Sequence, residues 1–215
     1  MIPRLLAISD VMACGGVDGF VRHAMRLAEA GLPALMLRER RLSPRELLEL
    51  GQRLRPGLRA AGCLLVINDR IDVALALDAD GVQLPGGALP VAEARRILPR
   101  AALIGKSCHN AAELAKARSG GADWALLSPF RAPKSHPSEL PPLGPEGFAL
   151  LVRDAELPVL ALGGIEPSDI APAVAAGAWG VAAITGLMSP DACVESWLQE
   201  LERAGKNSRA SSSPG

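Results

Sequence analysis

Short apolar runs alternate along the chain with longer stretches rich in Ala, Leu, Glu and Arg that carry a helical period, and the alternation repeats eight times. Strands are predicted near Leu5–Ile8, Ala34–Leu37, Cys63–Ile67, Gly81–Leu84, Leu103–Lys106, Trp124–Leu127, Val159–Leu162 and Gly180–Ile184. Between them the period predicts helices near Val17–Ala30, Pro44–Ala60, Ile71–Leu77, Pro90–Leu98, Asn110–Ser119, Pro145–Asp154, Pro167–Ala176 and Pro190–Ala204. Ser43-Pro44, Pro167-Ser168 and Ser189-Pro190 combine a capping hydroxyl with an early proline, a helix-start signal. Strand and helix in strict alternation are the signature of a parallel sheet with helical crossovers. Eight repeats close it into a single, small (β/α)8 TIM barrel, an α/β fold expected over residues 1–204. Residues 205–215, with no apolar anchor, are expected to be a disordered tail. The one long connection, 128–145, follows the sixth strand on the face where such barrels build active sites.

Composition narrows the function without naming it. The chain has 215 residues, 49% of them hydrophobic, and 23 basic side chains balance 23 acidic ones. Zero formal charge gives no general attraction to nucleic acid or to an anionic membrane, so any anion must be recognised locally. Aromatics are 3% of residues, too few for base-stacking platforms. Cys14, Cys63, Cys108 and Cys193 are far apart and lack metal-ligand spacing; they read as reduced thiols of a cytoplasmic protein. No apolar stretch approaches the roughly 20 residues that span a bilayer.

In this fold, chemistry is expected just past each strand's C-terminal end. Leu160-Ala-Leu-Gly163-Gly164 and Gly180-Val-Ala-Ala-Ile-Thr185-Gly186 end neighbouring strands in glycine, where bare backbone can approach an anion, so they predict a phosphate cup; tight turns alone would also use these glycines. Arg38 and Arg40 fall on one side of an extended chain and suit a phosphate or carboxylate, or form a solvated cluster paired through Glu39. Asn68 and Asp69 suit a metal or a substrate amine, and helix capping explains one of them but not both. Ser107 precedes a helix start and suits a phosphate; His109 reads as a structural or a substrate-contacting histidine, and Cys108 lacks the companions of a nucleophile. Lys134, Ser135 and His136 are the clustered donors of the long loop, either a lid over an anionic substrate or a solvated loop.

Assembled, these stretches resemble the thiamin phosphate synthase/TenI superfamily. The matches are Ala7-Ile-Ser-Asp10, Leu37-Arg-Glu-Arg40, Val66-Ile-Asn-Asp-Arg-Ile-Asp-Val-Ala-Leu75, Gly81-Val-Gln-Leu-Pro-Gly86, Ile104-Gly-Lys-Ser-Cys-His109, Leu127-Ser-Pro129, Pro142-Leu-Gly-Pro-Glu-Gly-Phe148, Ala161-Leu-Gly-Gly-Ile165 and Gly180-Val-Ala-Ala-Ile-Thr-Gly186. The resemblance implies a (β/α)8 barrel in which Arg38, Asn68 and Asp69 meet pyrophosphate and magnesium. It also implies that Ser107 makes a polar contact and that Gly163, Gly164 and Thr185 hold a thiazole phosphate. Arg40 stands where the family has lysine, Met36 where it has glutamine, and Gly86-Gly87-Ala88 where a second carboxylate would hold Mg2+. The TenI branch shares that last gap and implies a metal-independent thiazole tautomerase with no cofactor. The histidine of that branch aligns with Pro129, so His136, seven residues further in the long loop, is the substitute expected as proton carrier, with Arg38, Arg40 and Asn68 as the other catalytic residues and the two arginines holding the carboxylate. The alternatives are a Mg2+-dependent synthase with Asp69 as metal ligand, joining thiazole phosphate to hydroxymethylpyrimidine pyrophosphate, and a non-catalytic phosphate-binding regulatory barrel. The partner expected is a small-molecule thiazole phosphate, and a homodimer is the one assembly entertained.

Overall fold

The structure, a computed structural model, describes residues 1–132 and 140–211. Eight parallel strands close into a barrel in sequence order: β1 (Leu5–Ile8), β2 (Ala34–Leu37), β3 (Leu64–Asn68), β4 (Gly81–Leu84), β5 (Leu103–Cys108), β6 (Trp124–Leu127), β7 (Val159–Leu162) and β8 (Gly180–Ala183). Closure is made by β1, which pairs with β2 through Ala7 opposite Leu35 and with β8 through Leu6 opposite Ala182. The helices are α1 (Val17–Glu29), α2 (Pro44–Ala60), α3 (Ile71–Ala76), α4 (Val91–Ile97), α5 (Ala111–Ser119), α6 (Gly144–Val152), α7 (Ile170–Ala175), the short α8 (Thr185–Met188) and α9 (Val194–Ser211). None of the described helices is long and apolar enough to cross a membrane.

Strand alternation sorts the side chains into two cores. Leu6, Ile8, Ala34, Met36, Val66, Trp124, Leu126, Leu160 and Ala182 fill the barrel. Their neighbours, among them Leu5, Leu35, Ile67, Val82 and Val181, pack outward under the helices. One buried polar residue interrupts the inner core: the Gln83 amide accepts the Trp124 indole N–H at 3.1 Å and donates to Ser107 Oγ at 3.1 Å. Gly105 makes room for this, because a Cβ there would collide with both Gln83 Oε1 and the Trp124 ring. At the opposite, N-terminal face a staple occurs twice. Asp80 accepts the Leu65 N–H (2.7 Å) and Arg55 (2.7 Å), while Asp123 accepts the Ile104 N–H (2.7 Å) and Arg95 (2.6 Å). Each half-buried carboxylate thus joins two neighbouring strands to the helix outside them.

The helix starts bear out one cap and revise two. Ser43 forms a full capping box with Glu46. At Pro167 the chain first makes a 3-10 turn, Pro167–Asp169, capped by Glu166 rather than Ser168. Ser189-Pro190 does not start the last helix: Ser189 ends α8, its carbonyl accepts the Ala192 N–H in a turn, and α9 begins at Val194. The last helix runs past the expected boundary at 204. Residues 205–211 continue α9, supported by the Lys206–Glu202 pair one turn apart (2.6 Å), and no proline interrupts until Pro214. Loss of apolar anchors removes packing, not helix propensity. The rest of the expected tail, 212–215, lies outside the described residues.

Gly105→Ala is expected to destabilise the barrel by about 1–3 kcal/mol, the usual cost of forcing extra volume into a packed core. Urea unfolding of the two proteins measures this, and equal midpoints would contradict the packing.

Candidate active site

The inward register carries through the C-terminal ends of the strands and just past them. Arg38 continues Ala34 and Met36, Asn68 continues Leu64 and Val66, Ser107 continues Leu103 and Gly105, and Ser128 continues Trp124 and Leu126. All four line a cavity of about 550 Å³ at the C-terminal mouth, together with Arg40, His109, Gly163, Gly164, Thr185 and Gly186. Its floor is apolar, made by Ile8, Met36, Leu126, Leu162 and Ala182. An apolar floor under a polar rim suits a flat ring that carries a charged group.

One wall is cationic. Burial, with Arg40 beside it, pushes the Arg38 guanidinium below its ordinary value, yet an arginine remains charged. Among the described residues neither Arg38 nor Arg40 is paired with a carboxylate. The pairing through Glu39 that would make them idle does not form. Glu39 turns away to accept the Val11 N–H (3.1 Å) and the Ser9 hydroxyl, and burial raises its pKa. The same Ser9 oxygen accepts the Arg38 backbone N–H at 2.8 Å, which anchors the start of this arginine segment to β1. Two cations at a cavity wall, unpaired with a carboxylate among the described residues, suit an anion.

The next strand ends extend that wall. Asp69 N–H donates to the Gln83 carbonyl (2.8 Å) and holds Asp69 at φ 66°, a left-handed conformation that a non-glycine residue adopts at a cost. The Asp69 carboxylate is exposed beside Asn68 rather than among the cavity-lining groups. The following loop offers Pro85 and Gly86 but no acid, and its carbonyl at Pro85 accepts the Lys106 ammonium at 2.6 Å. Magnesium characteristically takes one or two protein carboxylates and completes its shell with substrate phosphates and water. Asp69, assisted by the Asn68 amide oxygen, meets the lower of those limits; no group of three or more His, Cys, Asp or Glu fit for a metal occurs among the described residues.

His109 is fixed as well as placed. Its ring Nδ1 lies 2.8 Å from the Ser128 carbonyl oxygen, which can only accept, so Nδ1 carries the proton and a neutral ring leaves Nε2 as an acceptor. Its backbone N–H donates to Glu113, whose own N–H is capped by Asn110 at the start of α5. Cys108 faces away from the cavity, fully buried, and burial pushes its thiol up to about 12, which removes it as a nucleophile.

The opposite wall is glycine. Gly163 and Gly164 have φ of 102° and 60°, which only glycine adopts without strain, and a Cβ on Gly164 would come within 2.5 Å of the Ala132 carbonyl. They therefore serve the turn and the close approach of the β6 loop, and they also present a side-chain-free face to the cavity. Gly186, which also lines the cavity at the start of α8, leaves room for the Trp197 ring, which a Cβ would meet at 2.7 Å.

Lys134, Ser135 and His136 lie outside the described residues. Residues that sequence reasoning passed over are Ser128, Glu166 and Ser189, all cavity-lining, and Gln83 beneath Ser107. Ser128 was recoverable by counting two residues on from Leu126. Ser189 was hidden by its resemblance to a helix cap.

Residues 5–187 match the family model described as thiamine monophosphate synthase. The chain is 44% identical over 179 residues to the thiamine biosynthesis bifunctional protein ThiM/ThiE of Symbiobacterium thermophilum, an alignment covering 82% of this chain and 37% of that longer protein. It is 42% identical to the thiamine-phosphate synthase of Methanoculleus marisnigri, over 76% of this chain and 78% of that one. Among solved structures, the thiamine phosphate pyrophosphorylase from Pyrococcus furiosus superposes with a TM-score of 0.80 at 29% identity, covering 95% of this chain and 96% of that one.

Thr185→Asp places a carboxylate on the glycine wall and is expected to weaken binding of inorganic phosphate at least roughly 10-fold, a like-charge penalty of about 1.4 kcal/mol. Titration calorimetry on the folded variant measures it, and unchanged affinity would move the phosphate cup elsewhere.

Proposed function

The chain belongs to the thiamine monophosphate synthase family, and from that membership we propose that it is a transferase that joins a thiazole phosphate to hydroxymethylpyrimidine pyrophosphate. The observation that carries the reading is one cavity with two separate groups of residues suited to anions, Arg38, Arg40, Asn68 and Ser107 from β2, β3 and β5 and Gly163, Gly164, Thr185 and Gly186 from β7 and β8. A reaction between two anionic substrates needs that separation; a single phosphate ligand does not.

In this reading the C–O bond from the pyrimidine methylene to pyrophosphate breaks, the leaving group keeps the electron pair, and the thiazole nitrogen forms the new C–N bond. Arg38 and Arg40 hold the pyrophosphate and stabilise the charge that grows on it. Ser107 donates to one of its oxygens. The apolar floor of Ile8, Met36 and Leu126 orients the rings and keeps water from the carbocation. The glycine wall fixes the thiazole phosphate so that the nitrogen faces the methylene. Magnesium, when bound, supplies further neutralisation of the pyrophosphate, and Asp69 with Asn68 would hold it.

A second reading, the metal-independent thiazole tautomerase, rests on a different observation. The loop of Pro85 and Gly86 presents no second carboxylate, while His109 offers a fixed acceptor at Nε2. His136, the proton carrier first expected for it, lies outside the described residues. The names of the relatives favour the synthase.

Purified protein given both substrates and magnesium chloride is expected to form thiamin phosphate and pyrophosphate, followed by mass spectrometry. EDTA should stop it, and Asp69→Ala should lower turnover about 100-fold or more, as loss of one charge-stabilising group does elsewhere. No product from the two substrates, with conversion of the unaromatised carboxythiazole phosphate in the presence of EDTA, would replace the synthase with the tautomerase.

A further inference from the structure

We propose that Gln83 and Trp124, buried in the barrel below the cavity, are positioning residues that aim the Ser107 hydroxyl at the anion. The inference rests on the anion-binding reading of the Arg38 wall and adds the device that prepares it.

The argument is one of hydrogen-bond direction. An indole N–H can only donate, so the 3.1 Å contact from Trp124 Nε1 forces the Gln83 oxygen to that side. The amide nitrogen must then face Ser107, where it donates to Oγ at 3.1 Å. Gln83 has no exposed surface and sits among apolar side chains, and Gly105 leaves no side chain that would hold the amide otherwise, so it cannot flip without leaving the indole unpaired. With a lone pair of Oγ occupied from below, the Ser107 O–H is turned away from Gln83. Ser107 lines the cavity, so the proton is presented there, as a donor. A serine without this support could spend its proton on a neighbouring acceptor and present lone pairs to an incoming anion. A glutamine buried in a barrel interior is costly unless paired, and here both of its bonds serve one orientation.

The same residue reaches the site a second way. The Gln83 carbonyl accepts the Asp69 N–H at 2.8 Å and so helps hold Asp69 in its left-handed conformation. That contact is to the backbone and survives side-chain substitution, which lets the amide be tested alone.

The probe is inorganic pyrophosphate with magnesium chloride, titrated calorimetrically into wild type, Gln83→Met, Ser107→Ala and the double variant. Gln83→Met keeps the volume and removes both bonds. It and Ser107→Ala are each expected to weaken binding roughly 10-fold, the value of one hydrogen bond to a charged group, and the double variant no more than either alone. Gln83→His, which can accept from the indole at one ring nitrogen and donate from the other, should restore binding to near the wild-type value. Should Gln83→Met fail to fold, Trp124→Phe carries the test: it frees the amide to flip and is expected to weaken binding roughly 3-fold in wild type but not in the Ser107→Ala background. Wild-type affinity in Gln83→Met, or single losses that multiply to roughly 100-fold in the double variant, would reduce Gln83 to core packing. If Ser107→Ala itself binds as wild type does, or wild type fails to bind pyrophosphate, the assignment of this wall falls and the inference with it.

Discussion

Barrel closure is the constraint on which everything else depends. Because β1 pairs with both β2 and β8, no strand has a free edge, and each side chain is committed either to the interior or to the helix layer. That commitment holds to the strand ends and just past them, at Asn68 still inside the ladder and at Arg38 and Ser128 one residue beyond it. It turns a hydrophobic alternation into a functional one: Met36 is core, Arg38 two residues later is at the cavity wall, and the same step takes Val66 to Asn68 and Leu126 to Ser128. Core packing thereby positions the site. The N-terminal face, where Asp80 and Asp123 each join two strands to a helix, serves stability alone.

The charges of the site follow from this geometry. Arg38 and Arg40 are brought together at a partly desolvated wall, while the intervening Glu39, on the opposite register, is drawn off by Ser9 and Val11. Had Glu39 faced inward it would have neutralised the wall. Alternation thus separates an Arg-Glu-Arg run into a cationic surface and a structural carboxylate. Across the cavity, Gly163 and Gly164 do two things at once, since the positive φ that turns the chain also brings the β6 loop against it.

Much of this was legible in the chain. Five of the eight strands begin and end where the apolar runs do, and Arg38, Asn68, Ser107, Gly163 and Thr185 all reach the cavity that strand-end reasoning assigned them. What was not legible depends on contacts between distant residues. Gln83 is neither acid nor base, and only the contact with Trp124, 41 residues on, gives its amide a direction. The tautomer of His109 is set by a carbonyl on another strand end. The start of α9 was misplaced because Ser189-Pro190 is a good cap locally, whereas the short α8 and the turn after it had already used Ser189. Its end, at Ser211, lies past the last apolar anchor, since helix propensity continues where packing stops.

The central claim is that two anions occupy this cavity together, on opposite walls. It is tested most directly by titrating inorganic pyrophosphate with magnesium into the protein with and without saturating thiazole phosphate. The account predicts that pyrophosphate still binds, with its affinity changed little by the occupied glycine wall. Mutual exclusion, with the apparent affinity for one falling in proportion to the concentration of the other, would mean a single anion site and would contradict it.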